Sequence, residues 1–309
     1  MDPNNDSMIS RRALLATLGA SALASSNLTI AEPKDNAFKL NYMLASCMYG
    51  TLDVRKCLAQ ASEIGATCID LWPPSHGNQR IQIDMIGHDR YLQACIDADV
   101  QTQMTTRYDL GPFGLLDEIG VVKQLGAKMI VCGSTGNRSG SLKQQVAEFI
   151  EKMKPHVDIA KEAGVVIAIE NHSNALLHSL DSLKYFADLN QSANLGIALA
   201  PYHLPQDSQL IANLIKHCNK SIVHFYAWEH GLGCHRQMPK SQELMQLPGF
   251  GTLDFTPILA ALRDIDYRGL TEIFMHPTPR GIPIMPSVAE TNGVINKSRN
   301  YLARCVKRI

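Results

Sequence analysis

Eight short β-rich runs, each followed by a stretch of helical periodicity, predict an α/β chain closed into a (β/α)8 TIM barrel. Two more observations point the same way. Several helical stretches end in a glycine that leads directly into the next apolar run, and no Gly-rich phosphate turn follows the first run.

The predicted strands are residues 40–47, 67–72, 101–107, 128–132, 165–170, 195–199, 222–227 and 270–275. The predicted helices are 54–64, 86–98, 115–125, 142–163, 180–189, 207–217, 255–264 and 288–304. Gly65, Gly126 and Gly164 stand between helix and strand, where a left-handed cap costs glycine no Cβ clash. An open doubly wound sheet is the competing architecture. It rarely runs to eight regular units, and its first strand usually leads into a Gly-rich turn. Here that strand ends Cys47-Met48-Tyr49-Gly50-Thr51. A length of 309 residues would also accommodate two small domains, but the regular repeat makes residues 39–309 one barrel.

Charge narrows the function classes. The 29 basic side chains balance 29 acidic ones, and a surface built for nucleic acid or an anionic membrane needs a basic excess. Residues 1–31 differ in kind from the rest. Ser10-Arg11-Arg12 leads into a short apolar run ending near Ala22-Leu23-Ala24, the pattern of a twin-arginine export signal. Residues 32–38 then serve as a polar linker, and the mature form is expected in the periplasm without a membrane span. The eight cysteines are scattered without a C-x-x-C pair and read as small hydrophobes. Cys234, in a Gly-rich loop between His230 and His235, is the one left open.

In such a barrel the chemistry gathers at the C-terminal strand ends. Strand five ends Ile169-Glu170-Asn171-His172, and strand eight carries Thr271-Glu272-Ile273. A carboxylate inside an apolar run is costly to bury unless something pairs with it. Alternation places Glu170 with His172, and His224 with Tyr226 and Trp228, each set on one face. Strand six ends Ala200-Pro201-Tyr202-His203, and strands two and three add Asp70 and Arg107. Two buried glutamates with one or two imidazoles suit a divalent cation such as Mn²⁺, Mg²⁺, Co²⁺ or Zn²⁺. The same carboxylates could instead work as acid and base beside a bound substrate.

Glu170 in "IAIENH", His203 in "APYH", His224 in "VHFYAW", Glu272 in "GLTEIF" and the "PGFGTLDF" stretch together resemble the xylose isomerase-like barrel superfamily. The resemblance spans residues 40–302 and lies in the order and spacing of short motifs. It implies a metal-assisted sugar isomerase or epimerase, with Glu170 and Glu272 as metal ligands and proton carriers. It further implies His224 as a ligand, although the family's spacing to a following acid would instead fit Tyr226 against Glu229. The family's usual strand-six aspartate is replaced here by Ala200, so His203 is the candidate to take up that ligand position. The same site would also suit a sugar dehydratase or lyase, and the loss at Ala200 would suit a sugar-binding barrel without catalysis.

Several other residues are expected at the mouth. Trp72-Pro73-Pro74-Ser75-His76 offers an aromatic and an imidazole to a sugar, or else a rigid turn with a surface histidine. Arg107 would hold substrate or neutralise Asp70. His172, Trp228, His276 and Arg280 are further candidates for substrate contact. The loop 229–251 is long for a βα connection and reads as a lid. Gly249-Phe250-Gly251 lacks the third glycine of a dinucleotide fingerprint and should ease the chain into a helix capped by Asp254. The expected partner is a small sugar, and a homodimer is compatible with the sequence.

Overall fold

The apolar runs form eight parallel strands, each bonded to the next, with β8 bonded back to β1 to close the barrel. They are β1 (Asn41–Ala45), β2 (Cys68–Leu71), β3 (Gln101–Thr106), β4 (Met129–Cys132), β5 (Val166–Glu170), β6 (Leu195–Leu199), β7 (Ile222–Ala227) and β8 (Leu270–Ile273). The computed structural model describes residues 37–136, 139–230 and 236–309. Residues 1–31, read from the sequence as an export signal, and Cys234 and His235 lie outside the described residues. Phe38–Ile309 form a single compact unit.

The helices are α1 (Val54–Leu58), α2 (Gln79–Ile86), α3 (His88–Ala98), α4 (Leu116–Gln124), α5 (Leu142–Ala163), α6 (Leu180–Leu189), α7 (Ser208–Cys218), α8 (Lys240–Glu243), α9 (Phe255–Asp264) and α10 (Val288–Val306). Gly65, Gly126 and Gly164 adopt φ of +66°, +72° and +70°, the left-handed caps that the sequence asked for. Asp254 accepts from the Thr256 amide at 2.9 Å and so caps α9 as expected. Seven cysteines are buried and unpaired among the described residues, in keeping with their reading as small hydrophobes. Among those residues no helix is long and apolar enough to cross a membrane.

Three elements differ from expectation, one of them the short α8, which lies within the loop 229–251. The first predicted helix stops at Leu58 and resumes as a 3₁₀ turn, Ser62–Ile64, closed by the Ala66 amide donating to the Ala61 carbonyl at 2.8 Å. Another is α2, which the hydrophobic pattern did not show. Its anchors are polar: buried Gln79 donates to the Gly50 carbonyl at 2.9 Å, and Arg80 pairs with Glu118. A helix held by polar side chains leaves little trace in an apolar stripe.

Register sets the depth of the polar groups inside the barrel. Glu272 lies opposite Met43 on one side and Tyr226 on the other, while Glu170 lies opposite Ala198. Past the strand ends, the Asn171 amide group bridges β5 to β6. It donates to the Ala200 carbonyl at 2.9 Å and accepts from the Ala200 amide at 2.8 Å.

Candidate active site

A cavity of about 260 Å³ opens at the C-terminal ends of the strands. Its walls are His76, Tyr108, Gly133, Ser134, Glu170, His172, Asn174, Ala175, Trp228, His276 and Arg280. Glu170, His76, His172, Trp228 and His276 are thus brought together as the sequence suggested. They come from four separate loops and strand ends that only barrel closure makes neighbours.

Arg107 is a correction. Its guanidinium pairs with Glu118 and with Asp109, the latter at 2.8 Å. Asp70 instead accepts from the Thr106 hydroxyl at 2.6 Å. The physical reason is Glu118, a carboxylate only 2% exposed, which draws Arg107 and Arg80 to itself. The neighbouring Tyr108 takes the place at the cavity wall.

Below the cavity the remaining candidates form two carboxylate–imidazole pairs. His203 Nε2 stands 3.7 Å from Glu170 Oε1, and His224 Nε2 stands 3.4 Å from Glu272 Oε2. All four side chains are essentially sealed from solvent. Both ring nitrogens of His224 and both carboxylate oxygens of Glu272 are buried without a hydrogen-bond partner. Burial pushes the Glu170 carboxyl up to about 8, against which the Arg280 charge pulls weakly downward. Glu272 is raised well above the ordinary carboxylate range, by burial first and then by the charges of Asp70 and Glu170. Asp70 is raised by burial to about 7, and His224 is lowered to about 3. Neutral carboxyls and neutral imidazoles are therefore the cheap forms in this interior.

Aromatic rings enclose the mouth. Trp72 stacks on Phe274 with centroids 4.9 Å apart, and Trp228 stacks on Tyr202 at 4.0 Å. His76 and His276 lie 4.6 Å apart beside them. Flat apolar faces next to a few polar groups suit the C–H face and the hydroxyl rim of a sugar.

A family model described as the xylose isomerase-like TIM barrel matches residues 58–303. The chain belongs to that family. Among curated proteins none matches in sequence. Solved structures share the fold at low identity. An L-ribulose 3-epimerase has a TM-score of 0.64 at 14% identity, covering 87% of this chain and 95% of its own. A D-psicose 3-epimerase with D-tagatose, from Clostridium cellulolyticum H10, scores 0.66 at 13% identity, covering 86% and 99%. The IOLI protein with a binding zinc atom scores 0.64 at 14% identity, covering 87% and 99%.

In this xylose isomerase-like barrel the donor set of Glu170, His203, His224 and Glu272 matches a divalent cation in kind: two carboxyl groups, which a cation would hold ionised, and two imidazoles. The orphaned atoms of His224 and Glu272 are the mark of a missing partner. The side chains nevertheless stand as two pairs, and among the described residues no three such groups converge on one point. Ala200, fully buried, contributes no ligand at the end of β6.

Two functional features escaped sequence reasoning. Gln246, fully buried in the long loop, accepts from Trp228 Nε1 at 3.1 Å and from the His276 amide at 3.2 Å, and donates to the His276 carbonyl at 2.8 Å. It clamps two walls of the cavity together. Glu229 accepts from the Gly249 and Leu253 amides at 3.2 and 2.8 Å and so shapes the Gly249-Phe250-Gly251 turn, where a Cβ on Gly251 would strike its carboxylate. No periodicity announces either residue; both act through backbone groups distant in sequence. The described part of the loop read as a lid is stapled down by these contacts and by Lys240, which donates to the Ile284 carbonyl at 2.8 Å.

Proposed function

We propose that this barrel is a sugar isomerase or epimerase in which Glu170 and Glu272 exchange a proton with the carbon beside the substrate carbonyl. One observation carries the reading: two strand-end carboxylates, each buried beside an imidazole, under a sugar-sized cavity whose wall includes Glu170. One carboxylate removes the α-proton and the other delivers it, so the same pair serves both directions of the reaction. The step needs one carboxyl ionised as base and the other protonated as acid. Burial alone favours the protonated form of both, with Glu170 raised to about 8, and a bound cation would favour the ionised form of the base. His203 and His224 orient the two carboxylates. His76, His172 and His276 meet hydroxyls, while Trp228 covers the sugar face and keeps water from the reacting carbon.

Glu170, His203, His224 and Glu272 would hold a divalent cation, Mn²⁺, Mg²⁺, Co²⁺ or Zn²⁺, which when bound polarises the carbonyl and acidifies the adjacent C–H. Export through the twin-arginine route to the periplasm, in folded form, belongs to the same reading. The test is deuterium wash-in from D₂O at the α-carbon across a panel of ketoses and aldoses. Incorporation by the wild type that disappears in Glu170→Gln supports the proposal; incorporation unchanged in that variant overturns it. Products containing an enone or a cleaved glycoside would move the chemistry to the dehydratase or lyase class.

A further inference from the structure

Arg280 is placed unlike the ion-paired arginines. Ion pairs among the described residues engage Arg55, Arg80, Arg107, Arg263 and Arg268 with carboxylates. Arg280, in the wall of the cavity, instead meets an imidazole: its Nη1 lies 2.7 Å from His76 Nε2. A guanidinium can only donate, so His76 must accept through a bare Nε2 and carry its proton on Nδ1. That Nδ1 is buried and has no partner. Two facts follow from one contact. The Arg280 charge is not neutralised by the group that holds it, and the guanidinium, exposed at the rim, keeps further N–H donors for a ligand.

The one acid of the wall, Glu170, stands beside His203 and makes no ion pair with Arg280 among the described residues. His276 lies 4.6 Å from His76, and burial keeps it neutral, with the charges of His76 and Arg280 pushing the same way. His76 is likewise held down, to about 4, by burial and then by Arg280. A neutral sugar hydroxyl could accept from the exposed guanidinium at the rim, but an anionic oxygen group gains more there, through charge-assisted bonds roughly twice as strong as neutral ones and in a forked geometry that a guanidinium matches.

We propose that Arg280, held in place by the neutral His76, binds an anionic group, a carboxylate or a phosphate, carried by the sugar substrate. The inference rests on the sugar reading above and narrows it from sugars in general to sugar acids or sugar phosphates. Arg280 reaches over the cavity from the loop after β8, while His76 comes from the loop after β2. The charged end of the substrate is then fixed at this rim, and its neutral carbons extend toward Glu170.

The test uses the two tryptophans of the chain, Trp72 and Trp228, both fully buried against the cavity's His276. Their fluorescence is titrated with D-glucuronate, D-glucose 6-phosphate and D-glucose at constant ionic strength, in wild type, Arg280→Gln and Arg280→Lys. The expected result is at least one anionic sugar binding about 10-fold or more tighter than glucose in the wild type. In Arg280→Gln the anionic and neutral sugars become equal, and Arg280→Lys lies between because a point charge lacks the fork. Glucuronate preferred over the phosphate assigns the carboxylate source, and the reverse assigns the phosphate. Equal binding of charged and neutral sugars by the wild type overturns the inference while leaving the isomerase reading intact. An anionic preference that persists in Arg280→Gln also overturns it. Binding of no sugar at all overturns the sugar reading and this inference together.

Discussion

Glu118 and Glu272 are both buried carboxylates in one barrel, yet their surroundings could hardly differ more. Glu118 is gripped by two guanidiniums, with Arg80 Nε at 2.9 Å and Arg107 on its other oxygen. Among the described residues Glu272 has no Lys or Arg partner; its neighbours are a neutral imidazole at 3.4 Å and two more carboxyls whose charges oppose its own. The first arrangement compensates the cost of burial and ties β3 to α2 and α4. The second leaves that cost standing, and only a proton, a cation or a substrate relieves it. The lesson is that burial of an acid marks structure when its partners are complete, and marks chemistry when they are missing.

The comparison can be broken in order of effect. Glu170→Gln and Glu272→Gln should lower turnover by about 10²- to 10⁴-fold, measured by deuterium exchange, while leaving thermal stability equal or higher. Stability lost in parallel with activity would place them with Glu118. Glu118→Gln should cost about 3 kcal/mol in urea unfolding, because two guanidiniums are left beside a neutral amide. A loss below about 1 kcal/mol would show that the ion network is ornamental.

Acid–base behaviour sharpens the same contrast. Glu170 keeps its proton to about 8 when folded, against an ordinary value of 4.5. Between those values the folded state holds more protons than the unfolded chain. Stability of the metal-free protein should therefore fall as pH rises through that window, by at most about 1.4 kcal/mol per pH unit for each such carboxyl. Glu170→Gln should flatten that slope in a series of melts from pH 4.5 to 8, and a slope unaltered by the variant would refute the assignment. Elemental analysis of the purified protein separates two states of the pairs. Near-stoichiometric metal that vanishes in Glu272→Ala supports the four-ligand reading. Wild type that stays empty after loading with Mn²⁺, Co²⁺ or Zn²⁺ means that Ala200 has cost the site its cation, and a metal-free or non-catalytic barrel then leads. The smallest effect is expected from Gln246→Ala, about 1–3 kcal/mol of stability with a raised KM, because Trp228 and His276 lose their common clamp.

Much of this was legible in the residues before any coordinates. The runs 165–170 and 270–275 each carry a charge that apolar neighbours cannot solvate, and the barrel brings those two positions to one interior. Glycine at 65, 126 and 164 announced the helix ends because only an unbranched backbone takes that conformation without strain. Arg107 was misplaced because alternation along a strand says which face a side chain takes, but not which acid waits on the next helix. Arg280 lay outside any periodic element, so its pairing with an imidazole more than two hundred residues away left no local signal.

By itself, then, the sequence determined the repeat, the closure into eight strands and the identity of the two acids, since periodicity and burial cost are properties of short windows. The tertiary structure alone decided how the acids are paired, that Glu118 rather than Asp70 takes Arg107, and that Gln246 joins two walls of the cavity. Those outcomes depend on contacts between residues far apart in the chain, and such contacts are set by the packing of the whole barrel, which no window of sequence contains.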